Sequence, residues 1–468
     1  MRRAIPYTLP VALMLLLISP NLLSSGMFVD GMVYSCVANN MAHGIGSFWN
    51  PSYSPAMYAQ FYEHPPLAMG MLALLYRLIG DGLWIEKAYA LLMVGLSALL
   101  TVRLWKRLTN DADYGWLPLL LMVMVPDVSH FATSNMLEHT MSVFVLLAVI
   151  GIVQSTESGK QLPLLAAGAS LAGALLVKGP VGLYPLALPL MLWIAERLTT
   201  SRHTYSFVQM VRDTSLVLAG AVAVIGIVLL LCPGARLFLP QYYQRQLIEG
   251  MSDATTRSRL YIVWHLLEQL VIPIVSVAAC MVCGKRHNGT APQWSRQAVA
   301  MLLLTLCGVL PMMLSAKLRG YYILTVYPYA CIGMALLLKP VVTVWHDQMS
   351  DRASRTHRFA GLTLTAVAIL ANVVQSGGFC RDKELQSDMA IICPQLEVGE
   401  AVQIPPRMYT NYQLHAYYYR THRVSLHDHI EGKHLLTDDA DEFARLGYDK
   451  LYVPVQLPTQ HYHLYERK

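Results

Sequence analysis

Long apolar stretches separated by short polar ones dominate this chain of 468 residues. Several of them reach the roughly 20 residues that cross a bilayer, and flanking Trp and Tyr residues extend the shorter ones. The pattern therefore predicts eleven membrane-spanning helices. They are Tyr7–Leu23, Ala88–Leu104, Leu117–Val125, Met141–Val153, Leu162–Val177, Val181–Ala195, Leu216–Cys232, Leu260–Cys283, Ala298–Leu314, Tyr321–Leu338 and Ala360–Val374.

The first apolar stretch follows Met1-Arg2-Arg3, as the core of a secretion signal would. It has no convincing small-x-small cleavage site, and Pro20 and Asn21 interrupt its end. We therefore interpret it as a retained first span.

Basic residues assign the loops to sides of the membrane, because cytoplasmic loops carry an excess of Lys and Arg. The clusters are Arg2-Arg3, Arg103/Lys106/Arg107, Arg197/Arg202/Arg212, Lys285/Arg286/Arg296 and Lys339 to Arg358. All of them fall inside if the N-terminus is cytoplasmic and Leu67–Ile79 does not cross. With about 13 residues this helix is too short to span and is predicted to be interfacial or re-entrant. A twelfth span would place Lys106 and Arg107 outside.

The composition agrees with this reading. Hydrophobic residues make up 55% of the chain and charged residues 14%, against about 25% charged in soluble domains. The net charge of +6 gives no argument for nucleic acid. We predict a multi-pass protein of the plasma (inner) membrane, with a transmembrane domain over residues 1–376 and an outer domain over residues 377–468.

The predicted outer segments hold most of the polar residues that loops do not need. The first outer loop, residues 26–84, is long and rich in aromatic residues, which favours a folded loop with interfacial helices. Asp30 stands ahead of an amphipathic helical stretch, Tyr34–Ala42, where it could also be only a helix cap. The segment YEHPPL, Tyr62 to Leu67, places ionisable groups on a rigid double-proline turn.

Acids and cations share this predicted outer face. A helix dipole could account for Glu138, and snorkelling for Lys178. Together, however, the charges suit transfer chemistry on a phosphate-linked lipid, in which a carboxylate deprotonates an acceptor and cations stabilise the departing phosphate. The acids are Asp30, Glu63 and Glu138, and the cations are Lys178, Arg257, Arg259, Lys317 and Arg319.

The order and spacing of these residues resemble glycosyltransferase family 39, the polyprenyl-phosphate-sugar transferases of GT-C architecture. This family includes the protein O-mannosyltransferases and the lipid A aminoarabinose transferases. His64-Pro65-Pro66-Leu67 is similar to the family's Lys-Pro-Pro-Leu turn, and Val177-Lys178-Gly179-Pro180 to its Thr-Lys-Gly-Pro break. Asp30 and Glu138 resemble its two outer acids, and Ser315–Pro328 resembles its Ser-Lys-x-x-x-Tyr-Tyr segment.

The resemblance implies a role for each matched residue. Asp30 would be the general base on the acceptor, and Glu138 would orient the acceptor or its loop. The donor phosphate would be held by His64, Lys178, Arg257, Lys317 and Tyr321. Support for the acceptor or the loops is expected from Glu63, Arg259, Arg319 and Tyr322. Such transfer requires no cofactor, and nothing in the chain indicates a divalent metal.

Two departures from the family bear on the site. The family has Asp-Glu where this chain has Asp30-Gly31, so one acid is missing. His64 stands where the family has a phosphate-contacting lysine, and Lys317 or an arginine could replace it.

The tail after about Gly377 is polar and predicts a small α/β domain. Residues 398–429 are typical of strand, helix and strand, and residues 434–455 repeat that order, with a helix from Asp438 to Leu446. Its histidines lack a metal-ligand spacing and are expected at the solvated surface. They are His415, His422, His427, His429, His434, His461 and His463. Cys380 and Cys393 could pair if the tail lies in an oxidising compartment, and the sequence leaves this open.

The donor is thus expected to be a polyprenyl-phosphate sugar, with a lipid, glycan or protein as acceptor and membrane lipids around the helices. The alternative is a transporter or flippase of a lipid-linked sugar, which predicts polar groups on both faces and an internal repeat. No repeat is visible in the sequence. A non-catalytic relative is a third possibility, and the identities of the sugar and the acceptor stay open.

Overall fold

A computed structural model describes residues 5–111, 113–201, 203–249, 258–288, 293–315, 318–347, 351–375 and 380–468. These residues are mainly helical. The helices are α1 Ile5–Leu22, α2 Val29–Ala42, α3 Leu67–Ile79, α4 Trp84–Thr109, α5 Trp116–Val123, α6 Pro126–Phe131, α7 Leu137–Ser158, α8 Leu162–Lys178, α9 Leu188–Thr199, α10 Phe207–Leu231, α11 Pro233–Tyr242, α12 Tyr261–Asn288, α13 Arg296–Val309, α14 Tyr327–Asp347, α15 Asp351–Val374, α16 Lys383–Ile392, α17 Tyr412–His422 and α18 Ala440–Arg445. Short 3-10 segments precede α9 at Gly179–Ala187 and α14 at Gly320–Val326, and a π-helix, Tyr243–Glu249, follows α11.

Within the described ranges, seven stretches are long and apolar enough to cross a membrane, which confirms a polytopic helical membrane protein. The Leu162–Thr199 stretch contains both α8 and α9, with the predicted break at Gly179 between them. The predicted span at Leu117–Val125 is only the eight-residue α5, about 12 Å long, followed by the separate helix α6. The count of eleven spans therefore stays a prediction.

The two ends of the helical bundle carry different polar groups. One end brings together Asp30, the start of α7 and the end of α8. The opposite end holds several ion pairs, among them Arg107–Glu157 at 2.9 Å, Lys339–Asp111 at 3.1 Å and Arg296–Glu196 at 3.7 Å. The sequence analysis assigns the polar residues at the two ends of the bundle to the same two groups. Which side of the membrane each group faces stays a prediction.

Helix α3 has the bounds predicted for the short helix, but helix α2 differs from its prediction. It begins at Val29, so Asp30 lies in its first turn rather than ahead of it, with Phe28 as the N-cap residue. It is also buried around most of its circumference rather than amphipathic, because α3 and the outer helix α17 both pack on it. The prediction of an amphipathic helix over Tyr34–Ala42 was wrong about where the helix begins and about its amphipathic character.

The outer domain has the predicted strands and one more. Its sheet consists of β3 Ala401–Gln403, β4 Ser425–His427, β5 His434–Thr437, β6 Tyr452–Pro454 and β7 His463–Arg467. The strand order is β4-β3-β5-β7-β6, with β3 parallel to its neighbours and β7 antiparallel to β5 and β6. A two-stranded hairpin, β1 Gly46–Ser47 with β2 Asn50–Pro51, lies in the first outer loop.

Buried charges fix the outer domain to the helical bundle. The Arg420 guanidinium donates to a Glu86 carboxylate oxygen at 3.3 Å, and that carboxylate also accepts from the Tyr76 hydroxyl at 2.6 Å. Both charged side chains are almost fully shielded from solvent. Breaking such a pair would leave an unpaired buried charge, so the outer domain and the bundle are coupled energetically.

One tail expectation needs correction. His415 and His434 are buried rather than at the surface, His415 at 1% exposure and His434 with its Nδ1 2.6 Å from Glu400 Oε1. Cys380 and Cys393, whose pairing the sequence left open, are free thiols in the structure. The Cys380 thiol instead accepts a hydrogen bond from Ser25 Oγ at 2.9 Å, where the tail meets the first outer loop.

Candidate active site

Asp30 is held by a tyrosine from the far part of the chain. The Tyr321 hydroxyl donates a hydrogen bond to Asp30 Oδ2 over 2.7 Å. Asp30 comes from the first turn of α2, and Tyr321 from the 3-10 segment ahead of α14. A carboxylate oriented in this way keeps its second oxygen available to accept a proton from another group.

Lys178 stands beside the same tyrosine. Its ammonium lies 5.7 Å from the centre of the Tyr321 ring and 4.4 Å from that of Tyr322, and it forms an ion pair with Glu138. Glu138 is fully buried and Lys178 is 6% exposed. The lysine is therefore held in place by a carboxylate and by two aromatic faces.

A cavity of about 860 Å³ opens next to Lys178. Its polar lining is concentrated in a few residues, among them His64, Lys178 and Ser315. Most of the remaining wall is apolar. It includes Pro180, Val181, Leu183, Leu186, Leu310, Pro311, Met312 and Leu314. A cavity with a lysine and a histidine in one part and an otherwise mostly apolar wall fits an amphiphile with an anionic head group.

Gly179 places Lys178 at this cavity. It adopts a left-handed backbone with φ +80°, and a Cβ there would come 1.9 Å from the Tyr242 hydroxyl oxygen. No residue with a side chain fits without displacing Tyr242, which itself lines the cavity. This explains why the chain turns at Gly179, directly after its buried lysine.

The YEHPPL turn contacts the cavity on one side and a second outer segment on the other. His64 lines the cavity, and its ring packs edge-on against Tyr34 with centroids 5.5 Å apart. Glu63 accepts hydrogen bonds from Arg245 and Gln246 of the π-helix. Burial works against the charge of Arg245, but the pair with Glu63 raises the pKa of this guanidinium. Glu63 thus joins the first outer loop to the segment after α11.

Aromatic rings pack against Tyr321, the hydrogen-bond partner of Asp30. The rings of Phe28, Phe131 and Tyr321 lie 5.3 to 5.5 Å apart from centre to centre. Arg381 of the outer domain lies 5.4 Å from the Phe28 ring, and the His130 ring packs against Phe131 at 4.7 Å. Burial and the positive charge of Arg381 lower the pKa of His130, which favours its neutral form.

For four further predicted site residues, the structure describes no contact with this cavity. Arg259 and Arg319 are exposed. Arg257 and Lys317 lie outside the described residues. The structure thus brings together Asp30, Glu138, Lys178, Tyr321 and Tyr322, with His64 at the same cavity as Lys178.

Sequence reasoning missed two features near this site. One is Arg245, whose guanidinium forms an ion pair with Glu63. The other is a buried contact of Asp127 with His265 and Tyr327. Asp127 stands in the PDVSH segment, where its position directly after a Pro at the start of a short outer helix was an available signal.

Among the described residues, no group of three or more His, Cys, Asp or Glu side chains is arranged to hold a metal ion. The expectation of a metal-independent reaction stays a prediction.

Comparison with solved structures defines the class of this fold. ArnT from Cupriavidus metallidurans bound to undecaprenyl phosphate superposes with a TM-score of 0.65 at 14% identity, covering 98% of this chain and 97% of that one. The archaeal oligosaccharyltransferase AglB from Archaeoglobus fulgidus, in complex with an inhibitory peptide and a dolichol-phosphate, gives 0.51 at 10% identity and covers 99% and 74%. The chain therefore has the same fold as ArnT and the oligosaccharyltransferase AglB.

A family model matches part of the chain. Residues 63–230 match the model described as dolichyl-phosphate-mannose-protein mannosyltransferase, in agreement with the resemblance seen in the sequence. No curated protein matches the chain.

Proposed function

We propose that this protein transfers a sugar from a polyprenyl-phosphate donor to a lipid, glycan or protein acceptor on the outer face of the inner membrane. One observation carries the proposal. Lys178 lines a largely apolar cavity, and the Tyr321 ring beside it is hydrogen-bonded to the carboxylate of Asp30. Lys178, a cation that can bind a phosphate, and Asp30, a base that can deprotonate an acceptor, therefore both lie next to Tyr321.

The cavity suits the donor. The charge of a phosphate bound here would be neutralised by Lys178, and His64 would donate a hydrogen bond to it. The isoprene units of the donor would cover the apolar wall. Two similar structures are complexes with a polyprenyl phosphate, undecaprenyl phosphate in ArnT and dolichol-phosphate in AglB. Both structures share only the fold with this chain, so the donor class stays part of the proposal.

The chemistry follows from these positions. Asp30 accepts the proton of an acceptor hydroxyl or amine as the acceptor atom attacks the anomeric carbon of the sugar. The bond between that carbon and the phosphate oxygen breaks, and its electron pair leaves with the phosphate. Lys178 stabilises the charge that grows there, so it favours the transition state over the bound donor. Attack opposite to the leaving phosphate inverts the anomeric configuration.

Glu138 acts in this scheme through Lys178. Its carboxylate has no exposed surface and is bound to the ammonium group. This burial favours a positioning role over the contact with an acceptor that the resemblance implied. His64 stands in the cavity wall where relatives have a lysine, and it would bind the phosphate through a ring N–H.

The proposal is tested first at the level of the donor site, with purified protein and undecaprenyl phosphate as the probe. We expect saturable thermal stabilisation of wild type, which Lys178→Met weakens at least 10-fold in apparent affinity. Lys285→Met, in the last turn of α12 at its predicted inner end, serves as the control and should bind as wild type does. Equal binding by Lys178→Met and wild type would contradict the donor site.

The acceptor and the sugar require a cellular measurement. Glycan and lipid profiles of a deletion strain, compared with the same strain carrying wild type, should lack one sugar modification. A different result would favour the transporter. In that case the deletion strain accumulates the intact lipid-linked sugar on the inner leaflet, and its isolated membranes still form the sugar modification.

A further inference from the structure

A second polar cluster lies around Asp127. The His265 Nε2 and the Tyr327 hydroxyl both bind Asp127 Oδ2, at 2.8 Å and 3.0 Å. The backbone N–H of Asp127 donates to Gln269 Oε1 at 2.8 Å. Three elements meet here, namely α6, α12 and the start of α14. None of these residues belongs to the site described above.

The hydrogen-bond roles follow from the chemistry of a carboxylate. An ionised carboxylate oxygen only accepts, so the Nε2 of His265 carries the hydrogen. The other ring nitrogen, Nδ1, faces Glu268 Oε2 at 3.9 Å, and the Tyr261 ring stacks on the imidazole with centroids 5.8 Å apart. The side chains of Asp127 and His265 are 11% and 12% exposed. The pair is therefore well defined in orientation.

The cluster holds both ends of the Gly320–Val326 segment. At its start, a Cβ on Gly320 would come 2.3 Å from His265 Nε2, so the backbone lies directly against the imidazole. At its end, the next residue, Tyr327, donates to Asp127. Between these two points stand Tyr321, bound to Asp30, and Tyr322, below Lys178.

This segment needs such external anchoring. It is a 3-10 helix of seven residues, whereas runs beyond three or four are uncommon because the hydrogen-bond geometry is poor. Its own backbone therefore supplies little to fix the two tyrosines. A shift of about 1 Å at a reacting group is enough to cost about 100-fold in rate.

We propose that Asp127, His265 and Tyr327 are positioning residues, which set the Tyr321 hydroxyl on Asp30 and the Tyr322 ring under Lys178. In its effect on catalysis, this inference rests on the proposed function. The structural part, that the cluster orders the Gly320–Val326 segment, is independent of any reaction.

Activity variants test the catalytic part. His265→Leu should lower kcat at least 10-fold, and His265→Gln should retain most activity, since its amide N–H can replace Nε2–H. In a Tyr321→Phe background, His265→Leu should cost clearly less than in wild type, because its target is already lost. Full additivity of the two changes, or an inactive His265→Gln of unchanged stability, would overturn the proposal.

Hydrogen exchange of the full-length protein, without substrate, tests the structural part. His265→Leu should raise the exchange of the Gly320–Val326 amides, and His265→Gln should not. Leu164→Ala, in the core of α8, controls for a general loss of stability and should leave these amides protected. Unchanged protection in His265→Leu would refute the inference even in an active enzyme. Absence of transfer by wild type would refute only the proposed function.

Discussion

The Tyr321 hydroxyl lies 2.7 Å from Asp30 Oδ2, although 291 residues separate the two in the chain. The same tyrosine ring is 5.7 Å from Lys178 Nζ. One side chain thus touches both the proposed base and the proposed phosphate-binding cation. This relationship makes Tyr321 a residue whose hydroxyl and ring have separate, testable roles.

Tyr321→Phe removes the hydroxyl and keeps the ring. A hydrogen bond to a charged group contributes about 1.5–3 kcal/mol, so we expect kcat/KM to fall about 10- to 100-fold. Binding of undecaprenyl phosphate should change little, because the ring next to Lys178 remains. Tyr243→Phe, an exposed tyrosine of the π-helix, is the matched control. An unchanged kcat/KM in Tyr321→Phe would show that the contact has no catalytic role.

Glu138 and Lys178 form a buried ion pair, so removing one partner leaves an unpaired charge. We expect Glu138→Gln and Lys178→Met each to lower stability by about 3–5 kcal/mol, measured by thermal unfolding in detergent. The double variant should regain much of that stability and stay inactive. Recovery of activity in the double variant would separate Lys178 from catalysis.

Gly179→Ala tests the turn at the cavity. The alanine would have both a left-handed backbone, at about 1–2 kcal/mol, and a clash with Tyr242. Gly159→Ala is the control, since Gly159 has φ +69° and open space around it. We expect Gly179→Ala to lower the Tm clearly more than Gly159→Ala, and Tyr242→Phe to reduce the difference. Equal effects of the two alanines would argue against the clash.

Asp388 gives the outer domain a defined pH dependence. Burial opposes its charge, but the backbone N–H groups of Gln460, His461 and Tyr462 donate to it at 2.7 to 3.0 Å and lower its pKa. Its folded pKa thus lies below the unfolded value of about 3.9. The stability it contributes is present above that pH and is lost as the pH falls through the folded pKa.

Asp388→Asn should therefore lower the unfolding temperature of the outer domain at pH 7, and the difference from wild type should shrink toward pH 2. Asp449→Asn, an exposed carboxylate of the same domain, should behave as wild type. A constant difference between Asp388→Asn and wild type from pH 7 to pH 2 would contradict this account.

Local signals predicted some elements well. Leu67–Ile79 has the predicted bounds because Pro66 precedes it and Gly80 ends it. Gly447 ends the α18 region in a left-handed conformation, as expected of a C′ glycine. Strand β7, in contrast, was not predicted, since its polar residues 463–467 become a strand only by pairing with β5 and β6.

The same contrast between local signals and long-range contacts holds for the candidate site. Asp30 and Lys178 were selected by their residue types and predicted membrane level, and Tyr321 by the resemblance to the family, all of which the sequence carries. The pairing of Glu138 with Lys178 and of Asp127 with His265 depends on helices that meet only in the folded bundle. No spacing in the sequence encodes a partner 138 residues away.

Sugar transfer by Asp30→Asn tests the central claim most directly. Wild type and the variant are reconstituted in liposomes with a polyprenyl-phosphate sugar and an acceptor extract, and release of polyprenyl phosphate is measured. The exposed Asp81→Asn in the same outer loop is the control. The account predicts that Asp30→Asn binds undecaprenyl phosphate as wild type does and transfers at least 100-fold more slowly, while Asp81→Asn is unaffected. Transfer by Asp30→Asn at the wild-type rate would contradict it.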